Sequence, residues 1–316
     1  MENRIRIGVS ACLLGQPVRF DGSHKHDRYL TGTLGEYLEF VPVCPEVEAG
    51  FPIPRESFRL VGDPENPRFV TTRTQVDHTG RMTEWAERRV RELEKENLCG
   101  FIFKSDSPSS GLMRVKVYNA KGMAEKKGVG VFARAFTRHF PLLPVEEEGR
   151  LNDAKLREMF IEQIFTLKRW REILAEPANM KHLVDFHTRH KLLILSHSPV
   201  HAQRMGKLVA GGSGTPIRAV YAEYETLLLE ALRMKTTLKK NMNVLQHIMG
   251  YFKQQLTADE KQELLEVLDQ YRREYLPLIV PVTLFNHYVR KYDQPYLKQQ
   301  VYLHPHPIAL KLRNHA

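Results

Sequence analysis

Three short segments hold residue types that bind metals or move protons. Cys12 lies in Ser10-Ala11-Cys12, Cys44 in Cys44-Pro45-Glu46, and a run of hydroxyls in Ser107-Pro108-Ser109-Ser110-Gly111. The two cysteines are 32 residues apart, so no local CxxC knuckle can form. Iron–sulfur clusters need thiolates, which separate loops can supply. Free cysteines also pack as small hydrophobes, and spacing alone leaves both readings open. Pro45 stiffens the turn after Cys44 and restricts that cysteine to extended backbone. Glu46, two residues from a possible ligand, is therefore a candidate general acid or base. The 107–111 segment reads either as a plain turn or as a loop that brings hydroxyls to a cluster or substrate.

These residues need elements to position them. Ile5–Val9 is a short β-branched run that reads as a buried strand and leads into Cys12. Residues 28–38 read as a short helix, and Phe40–Val43 as a strand leading into Cys44. Met82, Trp85, Ala86, Val90 and Leu93 form one face of a helix over 81–96. Phe101–Phe103 is a strand leading into Lys104 and the serine loop; Val115–Tyr118 is a further strand, a helix lies near 129–139, and Leu142–Val145 is a last strand. Strands alternating with helices predict a Rossmann-like α/β domain with a mostly parallel sheet, whose site lies beyond the carboxyl ends of the strands. Three independent loops put thiols or hydroxyls at that edge. Cys99 precedes its strand, which places it roughly 15–20 Å from that edge, so it reads as a structural thiol.

Residues 146–153, EEEGRLND, mark a boundary between domains 1–150 and 151–316. Helical periodicity follows over 154–174, 178–198, 219–235, 240–253, 257–274 and 282–292, which predicts an all-α domain. Thr257 and Glu260 have the form of a capping box, and Pro199 should end the second of these helices. Histidines three apart at 187 and 190 could chelate a metal, but the adjacent Arg189 and Lys191 disfavour a cation there. His197 and His201 have Pro199 between them. Gly211-Gly212-Ser213-Gly214 lacks the ending of a phosphate loop and reads as a connector.

The bulk composition is that of an ordinary folded protein: 316 residues, 42% hydrophobic and 27% charged. No apolar run suits a membrane span or a signal peptide, so a cytoplasmic protein with no membrane partner is expected. Three cysteines do not make a disulfide framework. The net charge of +10 is uneven: residues 1–150 hold 23 Lys and Arg against 21 Asp and Glu, and residues 151–316 hold 24 against 16. A basic helical half favours a polyanion, most simply RNA, through phosphate contacts. Arg189, Lys191, Arg204, Lys207, Lys239 and Lys240 are the candidates, any of which could instead be solvated surface.

At this point a resemblance enters. SACLLGQPVRFDG, PVCPE followed by PRES, and KSDSPSSG resemble the motifs of the thiouracil desulfurase (TudS-like) family, in order and with fitting spacing, over about residues 4–145. LVDFHTRHKLLILSHSP, NVLQHIMGYFK and LIVPVTLFNHYVRKY resemble the YbgA-type helical domain over about 155–314. The fusion looks like the bacterial tRNA 4-thiouridine desulfidases. That resemblance implies three cysteines holding a [4Fe-4S] cluster whose fourth iron is open to the substrate sulfur. Two ligands match Cys12 and Cys44, while Ser110 stands where the family has its third cysteine. A serine oxygen is a harder ligand than a thiolate and suits cluster iron less well. The implied reaction is non-redox hydrolysis of thiolated uracil to uracil and hydrogen sulfide, with Glu46 moving protons and Ser107 orienting water or base. Arg19, Asp21 and Lys104 in the motif loops are substrate-binding candidates. A non-catalytic RNA-binding protein with a decayed cluster site, and an enzyme for free thiouracil, are the alternatives.

Overall fold

The computed structural model describes residues 4–211 and 214–314. Two compact units divide between Asp153 and Ala154. The first contains β1 (Ile5–Ser10), β2 (Leu38–Val43), α1 (Pro45–Glu48), β3 (Phe58–Val61), β4 (Arg68–Thr71), α2 (Thr79–Leu93), β5 (Phe101–Phe103), β6 (Val115–Tyr118), β7 (Ala124–Gly128), α3 (Val131–His139) and β8 (Val145–Glu147).

The strands form two sheets, where the sequence suggests one. Strands β2, β1, β5 and β8, in that spatial order, make an all-parallel sheet, with Ile5 opposite Leu38 and Ser10 opposite Val43. Strands β4, β3, β6 and β7 make a second, mixed sheet, so Val115–Tyr118 leaves the parallel sheet for this one. Strands β3, β4 and β7 lie outside the elements expected from the sequence; β3 and β4 hold aromatic and β-branched residues, while β7 carries a weak strand signal. The four residues Ala124–Lys127 of β7 are exposed and polar, and the strand exists through its pairing with β6. The helix expected over 28–38 is instead a π turn at Tyr29–Thr33 and a 3-10 turn at Leu34–Glu36, after which β2 starts at Leu38, two residues earlier than expected.

A close contact explains the glycine inside β1. A Cβ on Gly8 would lie 2.2 Å from the Phe101 ring, so the glycine makes room for the stacked pair Phe101–Phe103. Those rings pack on Phe132 and Phe136 of α3 and lead into a core that includes Trp85 and Val90 of α2.

The last strand lies three residues later than Leu142 predicts, and the acidic run beyond it is no loose linker. Glu146 and Glu147 belong to β8 and are buried; Glu147 accepts the N–H groups of Leu112 (2.8 Å) and Met113 (3.3 Å), while Glu146 pairs with Arg150 (2.7 Å).

The second unit is helical: α4 (Ala154–Leu174), α5 (Met180–His197), α6 (Pro199–Ala210), α7 (Ile217–Arg233), α8 (Leu238–Gly250), α9 (Ala258–Arg272), α10 (Ile279–Lys291) and α11 (Pro295–Lys298). Pro199 ends α5 and also opens α6 from its first turn, with Ser198 as N-cap accepting the His201 N–H. His197 and His201 therefore sit on different helices. Thr257 and Glu260 form the full capping box at α9. Gly211 closes α6; Gly212 and Ser213 of the glycine-rich connector lie outside the described residues. No described helix is long and apolar enough to cross a membrane.

Candidate functional site

The parallel sheet sends three chain segments past the carboxyl ends of adjacent strands. β1 runs into the 3-10 turn Ala11–Leu14 that carries Cys12, and Gly15 at φ 86° closes it. β2 runs into Cys44, the N-cap of α1, with Pro45 in the first turn. β5 runs into Lys104, whose N–H bonds the Ser10 hydroxyl at 2.9 Å and ties the ends of β1 and β5 together. Cys12, Cys44, Glu46, Ser107 and Ser110 line one cavity of about 310 Å³. Cys99 is buried outside that lining, at the opposite end of β5.

Glu46 is held from two sides. Its Oε1 accepts the Ser109 hydroxyl at 2.7 Å, and its Oε2 lies 3.7 Å from Nη2 of Arg55. That same Nη2 donates to the Val18 carbonyl at 3.0 Å, so the guanidinium is fixed by backbone. The Cys44 thiol lies 3.7 Å from Glu46 Oε2. Ser107 Oγ accepts the N–H groups of Ser109 (3.3 Å) and Ser110 (3.1 Å) and lies 3.0 Å from Ser109 Oγ. Glu46 and Ser107 line the cavity, and Ser109, fully buried and outside the lining, joins them in an unbroken hydrogen-bonded line. Sequence reasoning singled out Ser107 and passed over Ser109, which is fully buried and touches the carboxylate directly.

The first turn of α3 holds this loop. Val131, Phe132 and Ala133 have N–H groups with no partner inside their own helix, and they donate to the carbonyls of Pro108 and Ser109. Gly130 allows the approach: a Cβ there would lie 2.5 Å from the Ser109 carbonyl.

The flanking charges differ from the sequence expectation in detail. Lys104 lines the cavity, but its ammonium already bonds Glu148 (2.5 Å), Ser105 Oγ (3.1 Å) and the Ser105 carbonyl (3.0 Å). Arg19 lines the cavity and lies 4.0 Å from Asp21. Asp21 is not part of the lining; it accepts the Ser23 hydroxyl and N–H, which holds its carboxyl below the usual range. Arg55, Lys25, Phe20 and Phe58 complete the wall. Arg55 and Ser57 belong to the PRES segment, the one signal in the sequence that could have found them.

Burial pushes the Cys12 thiol up to about 11, with Lys104 pulling the other way. Burial and the nearby Glu46 push Cys44 up to about 12. Such thiols stay protonated near neutral pH and release protons to a metal. None of the three cysteines is in a disulfide. Among the described residues no group of three His, Cys, Asp or Glu is arranged to hold a metal ion. The donor set facing the cavity is two thiols and the buried hydroxyl of Ser110. It fits a cluster at two corners through Cys12 and Cys44, and offers a hard oxygen at the third.

In the helical unit, His187 bonds the Tyr224 hydroxyl at 3.1 Å and His190 bonds the Phe186 carbonyl at 2.8 Å while stacking on the Phe186 ring, so both are packing residues. Of the basic candidates, Arg189, Lys191, Arg204, Lys207 and Lys239 are exposed and spread over α5, α6 and α8. Lys240 is spent on the carbonyls of His197 and Lys235, each at 2.6 Å.

Comparison with known proteins follows the same division. A family model described as 2-thiouracil desulfurase matches residues 7–148, and one described as a protein of unknown function, DUF1722, matches residues 191–307. The uncharacterized protein YbgA of Escherichia coli (strain K12) is 29% identical over 153 residues, covering 48% of this chain and 90% of its own. The uncharacterized protein YbbK of Bacillus subtilis (strain 168) is 30% identical over 108 residues, covering 33% of this chain and 71% of its own. Among solved structures, a [4Fe-4S]-dependent thiouracil desulfidase, TudS, is 30% identical and covers 49% of this chain and 98% of that one, with a TM-score of 0.39. Through its first unit the chain belongs to the 2-thiouracil desulfurase family, and it carries a YbgA-type DUF1722 domain behind it.

Proposed function

We propose that this chain is a desulfidase that hydrolyses the thiocarbonyl of a thiolated uracil, with 4-thiouridine in tRNA as its substrate. The observation that carries this reading is that Glu46 and Ser107, joined through the buried Ser109, face Cys12, Cys44 and Ser110 in one cavity. The reaction is C=S plus water giving C=O plus hydrogen sulfide, with no change of oxidation state.

Cys12 and Cys44 would hold a [4Fe-4S] cluster, with Ser110 at the third corner. When bound, such a cluster supplies a thiophilic Lewis acid that polarises C=S and eases the departure of sulfide. The protein's own residues do the rest. Phe20 and Phe58 give the cavity aromatic faces against which a base can stack. Glu46 takes a proton from the attacking water, the buried Ser109 keeps the carboxylate aimed, and Ser107, which lines the cavity, offers its hydroxyl to water or base. Lys104 is held by Glu148 and lies close enough to Cys12 to favour its thiolate. The basic helical half, with 24 Lys and Arg against 16 Asp and Glu over residues 151–316, supplies affinity for the phosphates of a tRNA substrate.

The test is protein purified without oxygen and assayed for iron, sulfide and release of hydrogen sulfide from 4-thiouridine tRNA. Ser110→Cys is expected to raise cluster occupancy, because a thiolate replaces an oxygen. Glu46→Gln is expected to keep the iron content and lose turnover by about 100-fold or more, the usual worth of a general base. An absence of iron in both the native chain and Ser110→Cys would favour the RNA-binding alternative. Turnover of free thiouracil with none on tRNA would assign the chain to the smaller substrate.

A further inference from the structure

Among the described residues, two surface clefts of the helical unit carry charges that differ in kind. The one beside α5, about 450 Å³, includes Arg169 and Arg189 but also Glu172, Glu176 and Asp185. Three carboxylates against two guanidinium groups make it a poor place for a phosphate, although Arg189 is a natural choice from sequence. The other, about 520 Å³, lies along α10. Asn286, His287 and Arg290 of α10 line one wall, and Lys298 of α11 and His304 line the other; no carboxylate is among the lining residues.

The lining along α10 runs from Thr283 to Arg290, with the spacing of a single helix face. That span is roughly 10 Å of helix, longer than one phosphate needs. The Arg290 guanidinium has no hydrogen bond or ion pair among the described residues. Lys298 pairs with Asp293 at the rim. Burial and the nearby Arg313 depress the His304 imidazole, leaving it a neutral ring that donates from one nitrogen. The carboxyl end of α10 opposes an anion through the helix dipole, and Arg290 in the last turn offsets it, while Lys291 beside it is taken up by Glu260. The cleft therefore presents hydrogen-bond donors around the Arg290 guanidinium, which is what the oxygens of a phosphate backbone require.

We propose that this α10–α11 cleft docks the phosphate backbone of the RNA substrate, with Arg290 as its principal contact. This rests on the tRNA reading above and locates where that RNA is held. The lining side chains are spread along α10 from Thr283 to Arg290, which suits phosphates along a strand better than a single small anion.

The experiment uses the full chain and a tRNA, with binding followed by fluorescence anisotropy across salt concentration. Arg290→Glu is expected to weaken binding at least tenfold and to make the slope of log K against log salt shallower by about one. Arg290→Lys is expected to keep most of the affinity. Arg189→Glu makes the same change of charge in the carboxylate-lined cleft and is expected to shift binding less than threefold. Equal losses for the two glutamate variants would mean that only net charge matters, and would overturn the assignment. Native-like binding by Arg290→Glu would overturn the docking site while leaving the tRNA reading intact; no binding by the native chain would overturn both. Displacement of tRNA by inorganic phosphate at constant ionic strength would assign the cleft to a small anion instead.

Discussion

Arg55 shows how far the position of a reactive carboxylate is set by a neighbouring side chain. Its side chain is 6% exposed and is anchored by the Val18 carbonyl at 3.0 Å and the Pro52 carbonyl at 3.4 Å, which leaves Nη2 beside Glu46. The planar fork lets one nitrogen serve a carbonyl and a carboxylate together, and a lysine ammonium on a flexible stem cannot reproduce that geometry. Arg55→Lys is therefore expected to lower kcat by about 10–100-fold with KM changed less than threefold, since misplacing a catalytic group by about 1 Å costs that order. Steady-state kinetics on 4-thiouridine tRNA checks it. A rise in KM at constant kcat would instead make Arg55 a substrate contact.

At the scale of elements, the site depends on a helix end as much as on its own loop. The three N–H groups at the start of α3 grip the carbonyls of Pro108 and Ser109, and Gly130 leaves no room for a side chain between them. Gly130 has φ −61°, so the demand is for space and not for unusual backbone. Gly130→Ala must push the Ser109 carbonyl away, at about 1–3 kcal/mol by the cost of overpacking. The expected result is a lowered melting temperature with the hydroxyl of Ser109 displaced from Glu46, so activity falls further than stability. Kinetics at a temperature where the variant is fully folded separates the two effects. The elements that frame this site were largely legible. The β-branched run of β1, the Pro after Cys44 and the amphipathic face of α2 each announce themselves through period or punctuation. The second sheet was not, because Ala124–Lys127 is polar and exposed and becomes a strand only by pairing with Val115–Tyr118. Ser109 was hidden for a related reason: in a run of three serines nothing local marks the one that faces Glu46, and the choice is made by α3, twenty residues downstream.

On the scale of the whole molecule, the uneven charge has a counterpart inside the helical unit. Arg313, 3% exposed, reaches Glu162 at 2.6 Å, Glu158 at 3.2 Å and the Tyr302 carbonyl at 2.6 Å, so a residue near one end of the domain's sequence pairs with two carboxyl groups near the other. His197 meets the same Glu162 at 3.3 Å. In the same unit burial depresses several imidazoles: His187 to about 4, His190 to about 3, and His304 and His306 below the ordinary value. A histidine with a depressed folded value takes up its proton more readily when unfolded. Its stabilisation is complete above the unfolded value near 6.5 and is lost as pH falls toward the folded value. Between pH 7 and pH 5, His187 and His190 each lose about 2 kcal/mol on this account. Glu158 runs the other way, since burial and the adjacent Glu162 raise it, and it returns part of that loss. Four depressed imidazoles outweigh one raised carboxylate, so the helical unit is expected to be less stable at pH 5 than at pH 7. Thermal melts by circular dichroism, with hydrogen exchange on α5 to identify the unit, provide the measurement. His187→Leu with His190→Leu should flatten the dependence, because neither ring is then left to take up a proton in the unfolded chain. A slope that survives in that double variant would place the acid sensitivity in the Arg313 network.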